Sequence, residues 1–144
     1  MKNKFWNLVT VSLCGLALIT SCQEKTSKSV TIPMILDHNR MLVEAVFQGK
    51  DGIWRKAGLW VDTGNPDFII SEPFARDLGI DITDPKEQEI PSPAAVRIGG
   101  MPISFDGVKS KVFIDGKWMF NTMHNDGNLP STVLQKYHIV FDYP

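Results

Sequence analysis

"LWVDTGNPDFIIS", residues 59–71, sets an acidic residue, Asp62, at the end of an apolar run and follows Asp-Thr-Gly with Asn-Pro. A carboxylate closing a stretch that reads as buried is costly unless it is hydrogen-bonded or paired. Gly64 lets the backbone turn sharply and brings amide groups close to the acid. Thr63 offers a hydroxyl that can lock the turn against a symmetry-related copy. An acid held this way gains chemical work when a second one faces it. Two carboxylates within hydrogen-bond distance cannot both ionise easily, so one keeps its proton and the other serves as a base. The sequence contains one Asp-Thr-Gly and no second copy.

Around this stretch, apolar runs alternate with turn signals at close intervals, which predicts an all-β domain with one or two short helices. Strands are expected at "SVTIPMIL" (29–36), "MLVEAVFQ" (41–48), "IWRKAGLWVD" (53–62) and "DFIIS" (67–71). Asp51-Gly52 suits a tight hairpin turn between the second and third. "SEPFARDLGI" (71–80) predicts a short helix with Ser71 as its N-cap and Gly79 at its exit. "DITDPKEQEIPSP" (81–93) is charged and proline-rich and reads as loop. Two strands are expected around Gly99-Gly100, another at "SKVFID" (110–115), and an extension at "GKWMF" (116–120). "NTMHNDGN" (121–128) reads as loop, "LPSTVLQKY" (129–137) as a short helix and "HIVFDY" (138–143) as a last strand.

The beginning of the chain reads as an address. "MKNK" is a short basic start, "FWNLVTVSLCGLALIT" is apolar with polar interruptions, and small residues precede Cys22. That is a secretory signal layout, too short and too polar for a comfortable membrane span. Ile19-Thr20-Ser21-Cys22 resembles a bacterial lipoprotein box, in which the cysteine is lipidated and becomes the new N-terminus. The other reading is an ordinary signal peptide with a chance cysteine. The lipoprotein reading divides the chain into a signal peptide at 1–21, a tether at 22–29 and a domain at 30–144. It also places the protein at the bacterial cell envelope, on the outer membrane facing the periplasm, since Gln23 is not the Asp that argues for inner-membrane retention.

With Cys14 in the signal and Cys22 at the lipid site, no thiol remains for a disulfide, a metal or a nucleophile. Fifteen Lys and Arg stand against sixteen Asp and Glu, a balance that gives no sign of nucleic-acid binding. His38, His124 and His138 are too widely spaced for ligand geometry, so neither a metal nor an organic cofactor is expected.

With these neighbours, Asp62-Thr63-Gly64 resembles the active loop of the retropepsin-type aspartic protease family of bacterial lineages. The likeness runs over about residues 31–144. It includes the Ile-Pro hairpin opening in "TIPMILDHNRMLVEAVFQGKDG", a small helix ending in Leu78-Gly79, the Ile-Gly-Gly turn of "VRIGGMPI", and the closing "DGNLPSTVLQKYHIVFDYP". The resemblance implies a closed β-barrel in which Asp62 is catalytic and Thr63 and Gly64 build the loop. Peptide or protein substrates are implied, together with a second aspartate from a homodimer partner or a second lobe. The apolar end of the chain, 138–143, is then expected to pair with a segment that follows it.

Four departures from the family pattern stand out, and two of them, Pro66 and the short flap region, favour the rival reading, a non-catalytic envelope lipoprotein that keeps the fold as a binding or assembly module. Pro66 stands where family members carry a hydroxyl that helps hold the outer carboxylate oxygen, leaving the Asn65 side-chain amide as the candidate substitute. Asn128 stands where an apolar residue is usual, and Pro130 where glycine is common. Between the helix and the Ile-Gly-Gly turn, "DITDPKEQEIPSPAAVR" has three prolines and no glycine, so no long flap hairpin is expected. Asp126 reads as a turn former, and Trp54 and Trp60 as core or interface.

Overall fold

The computed structural model describes residues 28–84, 86–113, 120 and 125–142. The expected signal segment, Cys22, His124 and Trp118 lie outside these, so the expected lipidation site and all of the "GKWMF" extension except Phe120 fall beyond the described residues. Among the described residues nine strands and two short helices make an all-β domain, as the alternating pattern predicts. The strands are β1 (Ile35–Asp37), β2 (Arg40–Gln48), β3 (Trp54–Asp62), β4 (Phe68–Ser71), β5 (Glu87–Ile90), β6 (Val96–Ile98), β7 (Met101–Ile103), β8 (Ser110–Phe113) and β9 (Gly127–Pro130). The helices are α1 (Glu72–Asp77) and α2 (Ser131–Leu134).

All nine strands belong to one sheet in the order β5-β8-β4-β9-β3-β2-β6-β7, with β1 also paired to β2. The expected closure of the barrel is not made by hydrogen bonds: among the described residues no ladder joins β5 to β7. The sheet curls instead. Ile90 of β5, Val112 of β8, Leu59 of β3 and Val96 and Ile98 of β6 all enter one buried cluster. Burial of side chains from both ends of the sheet holds the curl where backbone pairing does not.

Period-two alternation fixes which residues face that core. On β2, Val43, Ala45 and Phe47 point inward; on β3, Ala57 and Leu59 do so, with Val61 packed against them. Phe47 is 1% exposed and packs on Phe68 at 5.7 Å between ring centroids and edge-on to Phe74 at 5.4 Å. Such pairs add to the area they bury. Trp60 necessarily takes the opposite face of β3. There it stacks on Phe120 at 6.2 Å and joins Leu42, with Ile69 and Phe113 alongside. Asp62, two residues on, shares the Trp60 face. Trp54 is less buried than expected, at 38% exposed, and carries the Arg97 guanidinium over its ring at 4.6 Å.

Turn chemistry explains most boundaries. His38 and Asn39 occupy left-handed backbone at the β1–β2 turn, and Gly99 and Gly100 do so between β6 and β7. The Ser71 hydroxyl accepts from the Phe74 amide, giving α1 the expected cap. Several expectations fail for reasons of pairing. β5 forms within the segment read as loop, because Glu87–Ile90 ladders antiparallel to β8. The first strand is only three residues, with 28–34 unpaired. Gly127–Pro130 is strand rather than loop and helix, since β9 inserts parallel to β3 and antiparallel to β4 at Ile70↔Gly127. Pro130 therefore caps α2 instead of sitting inside it. Residues 138–142 form no strand, and Ile139, Val140 and Phe141 are exposed.

Candidate active site

β9 is the element that builds the site. It lies between β3 and β4, with Leu59↔Gly127, Trp60↔Asn128, Val61↔Leu129 and Asp62↔Pro130 in register. The approach is close enough to demand glycine: a Cβ on Gly127 would lie 2.6 Å from the Ile69 carbonyl oxygen. Just before it, the backbone N–H of Asp126 donates to Gly58 and its carbonyl accepts from Ser71, so both flanking strands are pinned.

Asp62 is half-buried at the end of β3. Its Oδ1 accepts from the backbone amides of Gly64 and Asn65, each at 3.1 Å. Its Oδ2 accepts from the Asn128 side-chain amide at 3.3 Å. Among the described residues Asp62 enters no ion pair, so its charge is held by hydrogen bonds alone. Donors aimed at both oxygens fix the orientation of the carboxylate.

Gly64 contributes its amide, but its φ lies outside the left-handed range and a Cβ there would touch only Asp62 Oδ1 at 3.7 Å. The sharp-turn reason for glycine therefore does not hold at this position. Thr63 is exposed, and its hydroxyl makes no hydrogen bond among the described residues. Asn65 does not replace the hydroxyl missing at Pro66: its Oδ1 accepts from the Asp67 amide at 2.9 Å, closing the loop on itself. The loop is also fastened to the start of α2. Ser131 donates to the Asn65 carbonyl through both backbone and hydroxyl, and Thr132 donates to the Pro66 carbonyl.

Asn128 is the residue that the sequence marked only as a departure. It is 0% exposed, accepts from the Ile69 amide at 2.7 Å, and donates to the Asp67 carbonyl at 3.0 Å as well as to Asp62. Its signal in the sequence was a polar residue at a position expected to be apolar; what it binds was not legible, because β9 was read as loop.

Beside the loop lies an open hollow of about 230 Å³ lined by Trp60, Asn65, Ile69, Glu87, Lys111 and Phe113. Its walls are largely apolar, with charge at one side. Lys111 Nζ sits 2.9 Å from Glu87 and 3.1 Å from Asp67, and these two carboxylates, Glu87 first, hold its ammonium above the usual range. Asp126, 64 residues after Asp62, is not in the loop. Its Oδ2 accepts from the Gly58 amide at 2.9 Å, while burial pushes its carboxyl above the usual range, assisted by the charge of Asp77. Among the described residues no cluster of three His, Cys, Asp or Glu side chains could hold a metal ion.

No family model and no curated protein matches the chain. Among solved structures, it is similar to the crystal structure of a retropepsin-like aspartic protease from Rickettsia conorii, at 21% sequence identity and a TM-score of 0.48, over 77% of this chain and 85% of that one.

Proposed function

We propose that the protein is an aspartyl-peptidase-like lipoprotein that hydrolyses peptide bonds through a water activated by Asp62 and a counterpart aspartate. The observation that carries the reading is the Asp62 carboxylate, half-buried, hydrogen-bonded at both oxygens and in no ion pair among the described residues. A carboxylate so placed beside a second acid shares one proton with it. The ionised member then draws a proton from the attacking water, and the protonated member supplies one to the leaving amine. No metal or covalent intermediate is required. The counterpart is Asp62 of a second copy or an acid of a second lobe. Exposed apolar side chains at Val30, Ile35 and Leu36, and again at Ile139, Val140 and Phe141, support a partner surface of that kind.

The anchor belongs to the same proposal: lipid on Cys22, with the domain at the outer membrane facing the periplasm. The test of activity is cleavage of a peptide library at about pH 5, where a shared-proton dyad operates, with and without a pepstatin-type inhibitor. Inhibitable cleavage by wild type that Asp62→Asn lacks supports the reading. Cleavage indifferent to that substitution rejects it.

The rival, a non-catalytic binding or assembly module, is favoured by one feature. Where a flap hairpin would close over substrate, Glu87–Ile90 ladders against β8, the Gln88 side chain binds the backbone of Asp81 and Thr83, and the Asp84 carboxylate accepts from the Glu87 amide. Absence of cleavage by every assembly state of the wild type would favour that module.

A further inference from the structure

We propose that Asn128 is the positioning residue of Asp62, supplying to the outer carboxylate oxygen the donor that Pro66 cannot. The inference rests on the reading of Asp62 as the water-activating acid, and it concerns a residue on another strand, 66 positions away.

The orientation of the carboxamide follows from its surroundings. The Ile69 backbone N–H points at one end of it from 2.7 Å, and an N–H requires an acceptor, so that end is the oxygen. The nitrogen is thereby forced toward Asp62 Oδ2 and the Asp67 carbonyl, both of which accept only. All three contacts are mutually consistent, and no flipped arrangement satisfies them. Because Asn128 is fully buried, this geometry is fixed by packing rather than chosen from solvent.

The loop chemistry shows why the donor is needed. Oδ1 of Asp62 already has two backbone amides, whereas Oδ2 has neither a hydroxyl from Pro66 nor the Asn65 amide, whose side-chain oxygen is engaged with Asp67. Without Asn128, Oδ2 would have no donor among the described residues, and the carboxylate plane would be held at one edge only. Asn128 also couples that plane to β4 through Ile69 and to the loop through Asp67, so one side chain on β9 ties the acid, the loop and β4 together. Proline at 66 and asparagine at 128 are, on this account, two halves of one exchange of donors.

The first test needs no catalysis. In wild-type protein the Asn128 side-chain amide resonances should shift with pH, and Asp62→Asn should remove most of that shift, what is left coming from the neighbouring Asp67 and Asp126 carboxylates. A flat wild-type response, or one as large in Asp62→Asn, overturns the proposal. The second test is a cycle on peptide cleavage. Asn128→Leu should lower kcat about 10²-fold with little change in KM, as expected for a misplaced reacting group, and Pro66→Ser in the same chain should recover about tenfold of it. An unchanged kcat in Asn128→Leu, or a loss that Pro66→Ser leaves untouched, contradicts a positioning role. If wild type cleaves nothing, the proposed function falls while the resonance test still decides where Asn128 acts.

Discussion

The Asn128 amide nitrogen lies 3.3 Å from Oδ2 of Asp62 and 3.0 Å from the carbonyl oxygen of Asp67, so one buried side chain joins the end of β3 to the loop that follows it. The two residues meet because β9 threads between β3 and β4, and the tightest point of that passage is Gly127.

Gly127→Ala should therefore be costly even though alanine is the smallest addition. The new methyl would lie 2.6 Å from the Ile69 carbonyl oxygen and 3.0 Å from Ile70 Cγ2, so β9 must shift. Overpacking of this kind costs about 1–3 kcal/mol, read as a lower urea midpoint with an unchanged slope. A midpoint equal to wild type would mean that β9 does not approach β4 so closely.

Asp126 gives a pH dependence with a definite sign. Burial, reinforced by Asp77 and opposed by the Gly58 amide, makes the folded protein hold this proton more tightly than the unfolded chain does. The contribution of Asp126 to wild-type stability is then lost as pH rises from the ordinary carboxylate range through the higher folded value. Asp126→Asn keeps an oxygen for Gly58 but removes the charge. Urea midpoints at about pH 3 and about pH 7, which bracket the ordinary carboxylate range, should show the variant gaining on wild type as pH rises. A constant difference would place the Asp126 carboxylate in solvent.

Much of this was legible in the sequence, and the two strands it did not show share a cause. Alternation along 41–48 and 53–62 placed β2 and β3, and Ser71 and Gly79 bracketed α1, because these signals are local. β5 and β9 were missed because each is a four-residue strand whose composition is that of a loop. Glu87–Ile90 is defined by β8, and Gly127–Pro130 by β3 and β4. At the site, Asp62 announced itself by a carboxylate at the end of an apolar strand. Its third donor could not be found without the placement of β9, and Asn65, adjacent in sequence, was the natural but mistaken candidate. Lys111 with Asp67 and Glu87 was invisible for the same reason: three strands bring them together.

The proposed counterpart acid can be located by mixing. If it is Asp62 of a second copy, Asp62→Asn equilibrated one-to-one with wild type should leave about a quarter of the activity, because only dimers of two wild-type chains carry both acids. Loss of only half would place the second acid within the same protein, on another lobe.

The proposed anchor is separable from the proposed chemistry. Cys22→Ser should move the protein from the membrane fraction to the soluble fraction and abolish incorporation of labelled palmitate, leaving cleavage intact. Retention in the membrane fraction without label would reject the lipid at Cys22.

The most direct measurement is kcat/KM for one cleaved peptide at about pH 5, wild type against Asp62→Asn at equal folded concentration. A drop of about 10³-fold, within the range that a positioned acid or base contributes, is the predicted result. A variant that cleaves as fast as wild type would contradict the assignment of Asp62 as the acid that activates water.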